Sequence, residues 1–287
     1  MNFKCADRPR RVAGGLAGIG MLAMAAAQPA WAQAPRRVVS INLCTDQLVL
    51  ALAEREQIAG LGRFSRHAEM SFLAARAAGF PTLRGSAEEV MRLKPDLVLA
   101  GAFSGRATRA MLSAHGVRVE TFAPPRSLPE ATAEIERMAG LLRQPARGSA
   151  LVAEITAAIG EAHGFASGRR RLSALAIQRR GFASGRETLL SAAMEAAGIT
   201  NAAGALGIGS IARAPLEAIV KLAPDVLILE DLGIARDQST AVLHHPVLRR
   251  AYGGERIIKL PVAEVTCGGP ALATLIRRLA QQRASLP

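Results

Sequence analysis

The sequence reads as an α/β protein with two Rossmann-like lobes on mainly parallel sheets, joined by a single helical linker. Three observations lead there. Short β-branched runs alternate with helical spacing in both halves of the chain. A strand-free stretch of helical period separates the two alternating regions. One helix–Pro-Asp–strand segment also occurs twice, once in each region. Such alternation builds a parallel sheet with helices on its faces.

The N-terminus stands apart. Lys4, Arg8, Arg10 and Arg11 precede an uncharged run from Val12 to Ala27, and Ala30-Trp31-Ala32 follows it. Sixteen residues are short for a bilayer span. A basic start, an apolar middle and a small-residue end make a cleaved secretory signal peptide. Cys5 precedes the apolar run, whereas a lipid-bearing cysteine would follow it. Residues 1–32 are therefore expected to be removed, leaving an exported mature chain.

The first lobe is expected over residues 33–126. Val38-Val39-Ser40-Ile41 is a buried strand, residues 42–45 a loop, and Thr45 or Asp46 the cap of the next helix. Residues 58–62, 97–100 and 117–122 are further strands. The linker follows over 127–165. Ser127 and Glu130 form a capping box, and apolar residues recur at spacings of three and four from Leu128 to Leu142 and from Leu151 to Ile159. Gln144-Pro145 interrupts this stretch, and Gly164 opens a loop. The second lobe, 166–287, has strands at 172–177, 226–229 and 256–260, a helix at 189–197 and a last helix at 271–280.

The repeat is the most specific feature. Glu88 lies seven residues before Pro95-Asp96, and Glu217 lies seven before Pro224-Asp225; both pairs are offset by 129 residues. Proline ends each helix and aspartate starts a turn into a strand. Those roles leave the glutamates unexplained, apart from the favourable placing of an acid in a first helical turn.

Composition excludes several classes. With 287 residues, 50% hydrophobic and 21% charged, the chain is neither disordered nor fibrous. Three cysteines are too few for a disulfide scaffold. The net charge is +13, and without residues 1–32 there remain 32 basic against 22 acidic side chains, a net of +10. The arginines are dispersed and Tyr252 is the single tyrosine, so an anionic ligand or membrane surface fits better than nucleic acid. There is no nucleophile elbow, zinc signature, phosphate loop or dinucleotide fingerprint. The rival reading is an exported α/β hydrolase using Ser40 or Ser65 with a histidine.

The chain resembles the periplasmic binding proteins of ABC importers for cobalamin, haem and ferric siderophores. The matching pieces are Arg37-Val38-Val39-Ser40, the two Glu…Pro-Asp segments, the helical linker, Gly198-Ile199-Thr200-Asn201 and Cys267-Gly268-Gly269-Pro270. The resemblance implies a monomer with no catalysis and no resident cofactor. A metal chelate, a ferric siderophore or cobalamin, would bind between its lobes and pass to a permease dimer coupled to its ATPase. It also implies that Glu88 and Glu217 dock on permease arginines, with Glu89 as the alternative in the first lobe.

Ligands of open α/β sheets sit beyond the carboxyl ends of the strands. In the first lobe this rule nominates Asn42, Cys44, Thr45, Arg63, Phe64, Phe103 and Arg106. In the second it nominates Arg179, Arg180, Phe182, Asp231 and Cys267. Arginine beside phenylalanine suits an anionic, conjugated ligand. Cys44 and Cys267 are free, ligand-contacting or paired. His67, His115, His163, His244 and His245 have no metal-ligand spacing.

Overall fold

The computed structural model describes residues 1–2, 33–231, 244–253 and 255–286. The chain divides into two compact units, Met1–Gln33 and Ala34–Pro287, and every element below belongs to the second. Of the expected signal peptide, residues 3–32 lie outside the described residues.

The first sheet contains β1 (Val38–Ser40), β2 (Ile58–Gly62), β3 (Thr82–Leu83), β4 (Leu97–Gly101) and β5 (Val119–Phe122). Its order is β3-β2-β1-β4-β5, and every pair is parallel. All three residues of β1 are buried, as a central strand covered on both faces requires. Helices α1 (Leu43–Leu52), α2 (Ala87–Arg92) and α3 (Arg106–Ala114) lie between these strands in sequence.

The start of α1 differs from the expected loop. Asn42 is the cap, its Oδ1 accepting from the Cys44 and Thr45 amides at 3.0 and 3.4 Å. A short amide oxygen satisfies two otherwise orphaned donors, so Cys44 and Thr45 fall within the first helical turn.

Two helices carry the chain from β5 to the second sheet. These are α4 (Leu128–Leu142) and α5 (Pro145–Ala166). Between them Arg143 takes a left-handed conformation, φ 59°. Pro145 then opens α5, where its missing N–H removes no helical bond. Gly164 stands inside α5 and does not end it.

The second sheet contains β6 (Leu172–Ile177), β7 (Phe182–Ser184), β8 (Ile199–Asn201), β9 (Ile211–Arg213), β10 (Val226–Asp231) and β11 (Ile257–Pro261). Its order is β11-β10-β6-β7-β9, with β8 also on β6. The β6–β10, β10–β11 and β6–β8 pairs are parallel, while β7 runs antiparallel to β6 and β9. Helices α6 (Leu189–Ala196), α7 (Leu216–Leu222), α8 (Pro246–Tyr252), α9 (Val262–Val265) and α10 (Leu272–Ala284) complete this lobe. One apolar core joins the two halves, with Leu97, Ile135, Ile155, Ile228 and Ile276 in the same buried cluster. Within it α5 packs on both α4 and α10.

The repeated segment is the same structure twice. Lys94 and Ala223, each preceding its proline, both have φ 46°. The aspartates do more than start a turn. Asp96 accepts from the Arg36 and Arg37 amides at 2.6 and 3.1 Å. Asp225 accepts from the Ser173 amide and hydroxyl, both at 2.8 Å. Each carboxylate thus ties the start of one central strand to its parallel neighbour, because N–H groups there need partners. Asp225 also pairs with Arg170 at 3.1 Å, whose guanidinium is the leading cause holding its pKa near 2.

Candidate functional site

A cavity of about 250 Å³ opens where strand-end loops of the first lobe meet helix-flanking segments of the second. The first lobe contributes Asn42, Cys44, Thr45 and Leu48 of the α1 start, residues 101–104 after β4, residues 122–125 from β5 onward, and Glu134 of α4. The second contributes Leu189 of α6 and residues 265–269 between α9 and α10. In the first lobe β1, β4 and β5 reach this place by their carboxyl ends, where an open α/β sheet leaves its crevice.

The lining is largely apolar, and its polar groups are mostly engaged. Thr45 Oγ1 lies 2.9 Å from the Asn42 carbonyl and 2.7 Å from Ser40 Oγ. Glu134 pairs with Arg137 at 3.2 Å. Phe103 lines the cavity yet is 83% exposed, presenting an aromatic face to any occupant. Cys44 and Cys267 are joined as a disulfide with Cα atoms 5.2 Å apart, within the span such a bond requires. Both line the cavity, so the bond crosses from α1 of one lobe to the segment before α10 of the other.

Two acids, buried Asp46 and half-buried Glu230, carry raised pKa values. Asp46, in the first turn of α1, has no exposure and accepts from the Gly62 amide at 3.0 Å. Burial raises its pKa to about 7. Glu230, next to last in β10, is likewise pushed up to about 7 by burial, against a hydrogen bond from Gln178.

Of the residues nominated from sequence, Asn42, Cys44, Thr45, Phe103 and Cys267 line the cavity. Arg63 stands in the turn after β2, its guanidinium 4.5 Å from the Phe64 ring centre. Arg106 is exposed at the start of α3. Arg179 and Arg180 form an exposed turn between β6 and β7, and Phe182 begins β7. None of the six side chains Arg63, Phe64, Arg106, Arg179, Arg180 and Phe182 belongs to the described cavity wall. Asp231 ends β10, and its side chain lies outside the described residues. His67 pairs with Glu69 at 3.2 Å on the surface. Ser40 is buried against Thr45, and Ser65 is buried with no hydrogen-bond partner among the described residues. Among the described residues no group of three or more His, Cys, Asp or Glu could hold a metal ion.

Sequence reasoning missed Leu48, Pro124, Pro125, Glu134 and Leu189. The strand-end rule applied to β5 reaches residues 122–125 directly. Leu189 carries no such signal, because only the approach of the lobes brings it there.

Comparison with known proteins agrees with this geometry. A family model described as periplasmic binding protein matches residues 38–252. The fold is similar to the periplasmic heme-binding protein RhuT from Roseiflexus, with TM-score 0.70 and 26% identity over 87% of this chain and 99% of that one. It is also similar to a periplasmic heme-binding protein from Pseudomonas aeruginosa, with TM-score 0.71 and 22% identity over 86% and 91%. A third similar structure belongs to an ABC-type Fe3+-hydroxamate transport system from Saccharomonospora viridis, with TM-score 0.69 and 19% identity over 87% and 93%. No curated protein sequence gives a significant match. With three quarters of its length matched by the family model, and two α/β lobes meeting at a cleft, the chain belongs to the periplasmic binding protein family.

Proposed function

We propose that this chain is the periplasmic solute-binding component of an ABC importer, exported by a signal peptide at residues 1–32. It takes a metal chelate between its lobes and hands it to a permease dimer. The observation that carries this reading is the cavity lined by segments of both lobes. Similar structures are described as binding heme or serving Fe3+-hydroxamate transport, and an apolar wall with exposed Phe103 suits a conjugated or hydrophobic chelate. The lobes are taken as 33–126 and 166–287, with the linker at 127–165. Helices in the linker favour small lobe rotations over wide closure.

Anionic groups of a chelate larger than the cavity would meet the arginines of the strand-end loops. Changing Arg179 and Arg180 together to Ala is then expected to weaken such a ligand by about 2–4 kcal/mol. Docking is assigned to Glu88 and Glu217. Both are exposed, and both occupy the second position of short, equivalent helices, α2 and α7. Glu89 instead accepts from the Arg84 and Gly85 amides at 2.9 and 3.2 Å, which favours Glu88 as the docking acid.

Calorimetric titration of the mature protein with a ferric hydroxamate, haem and cyanocobalamin tests the ligand reading. One of them is expected to bind with one-to-one stoichiometry. Absence of binding by all three sinks the metal-chelate assignment. Transport by Glu88→Arg and Glu217→Arg variants tests docking: uptake should fall while chelate affinity stays unchanged.

A further inference from the structure

We propose that the Cys44–Cys267 disulfide is an inter-lobe strap that holds the cleft at a fixed width, so that its oxidation state governs the shape of the binding cavity. The inference deepens the chelate-binding reading, but its first tests need no ligand.

The argument begins with connectivity. The two cysteines are 223 residues apart, one in the first turn of α1, the other between α9 and α10. Along the chain the two lobes are joined through α4 and α5. The disulfide closes a second covalent connection at the cavity itself. A body linked at one place can rotate about that link, whereas a second link at a distance removes most of the rotation.

Both ends of the strap are firmly seated. Cys44 sits in a helix capped by Asn42, and from Thr45 to Leu50 every residue of α1 is buried. Cys267 is 4% exposed. Gly268 after it lies so close to Leu189 and Pro125 that a β-carbon there would stand 2.5 and 2.6 Å from them. Gly269 accepts from the Leu272 amide at 3.0 Å and thereby leads into α10. Cys44 is held in a helix and Cys267 in a short, tightly packed connection between α9 and α10, so displacement of one lobe is resisted by the bond. Reduction replaces a covalent bond of about 2 Å with two thiols that repel within van der Waals contact. The cavity wall must then loosen at the place where the lobes meet.

Formation of the strap removes two protons and two electrons from the two thiols. A protein disulfide of the exporting compartment accepts them and becomes a dithiol. A small dithiol reverses the reaction by two exchange steps. Because both cysteines line the cavity and Cys267 is otherwise covered, a reductant reaches the bond by way of the cleft. A ligand seated there shields it.

The test uses full-length mature protein prepared from the periplasm. Mass spectrometry after alkylation without reductant should find neither cysteine modified. Ligand-free hydrogen exchange is then compared among the oxidised protein, the dithiol-reduced protein and the Cys44→Ala/Cys267→Ala variant. Reduction serves as the second route should the variant fold poorly, and circular dichroism confirms a folded sample. Amides of residues 43–48 and 262–272 should exchange about tenfold faster or more without the bond, together, with the rest of both sheets unchanged. Equal exchange in oxidised and reduced protein overturns the proposal, as does full alkylation of both cysteines in the unreduced protein. In a separate arm a ferric hydroxamate is the probe. It should slow reduction by dithiol and bind the reduced protein about tenfold more weakly. Loss of protection on reduction, with no hydroxamate binding to either form, supports the strap and counts against the ligand reading alone.

Discussion

Gly268→Ala probes the tightest point of the cleft. A β-carbon at residue 268 would lie 2.5 Å from Leu189 Cδ2, 2.6 Å from Pro125 Cγ and 3.5 Å from Ala131 Cβ. Carbon atoms in contact prefer about 3.5–4.0 Å, so two of these three neighbours must retreat by about an ångström. Leu189 can turn its side chain. Pro125 cannot, because its ring is fixed to the backbone, and relief there requires the loop after β5 to move. Overpacking of this kind costs about 1–3 kcal/mol, which for a chain of this size lowers the melting temperature by roughly 2–10 °C. Pro125, Leu189 and Gly268 all line the cavity, so chelate affinity should fall with stability. The control is Gly140→Ala in α4, where nothing lies within 4 Å of the added carbon. That variant should gain about 0.5–1 kcal/mol from helix propensity. Thermal melts followed by circular dichroism, with calorimetry for the ligand, measure both. A Gly268→Ala protein that melts and binds like the parent would refute the packing argument.

Three further outcomes are expected. Asp225→Asn should lower stability at pH 7: the fall in pKa from 3.8 to about 2 corresponds to about 2.5 kcal/mol, reduced to about 1–2 kcal/mol because the side chain is a third exposed. That contribution is present above about pH 4 and is lost as pH falls toward 2, so urea midpoints of parent and variant should converge in acid; a constant gap means the charge is not the cause. Asp46 has the opposite sign, its folded pKa being raised to about 7. Its contribution is complete below about pH 4 and disappears as pH rises through 7, and Asp46→Asn should therefore gain on the parent by on the order of 2 kcal/mol at pH 8 or above; parallel stability curves in urea from pH 5 to 9 would exclude a buried ionisation. Removing both cysteines as Cys44→Ala/Cys267→Ala releases a loop spanning a separation of 223 residues and should destabilise by up to about 5 kcal/mol; a loss below 1 kcal/mol in guanidinium unfolding would show that the strap constrains the unfolded chain little.

Long, strongly patterned elements were legible in the chain itself. The runs at 38–41, 58–62 and 172–177 are strands because buried β-branched and aliphatic residues cluster there between turn signals, and β1, β2 and β6 occupy those places. Apolar residues at spacings of three and four place α4 and α5, and Gln144-Pro145 marks their junction. The duplicated Pro-Asp segment foretold two similar lobes. Strands β7, β8 and β9 have three residues each, too few for any period to show, and they arise by pairing with β6 or one another.

What the sequence determined alone was therefore local and periodic: the alternation of helix and strand, the linker, and the pair of equivalent acids Glu88 and Glu217. Tertiary structure decided what depends on approach between distant segments. Asn42 rather than Thr45 caps α1 because backbone geometry, not residue preference, selects among neighbouring capping residues. Asp96 and Asp225 fasten adjacent strands because parallel pairing brings unpaired amides to them. Leu189 becomes part of the cavity only when the lobes meet. Cys44 and Cys267 were open to three fates until folding brought their Cα atoms to 5.2 Å, since a distance across 223 residues is fixed by packing and is carried by no local pattern.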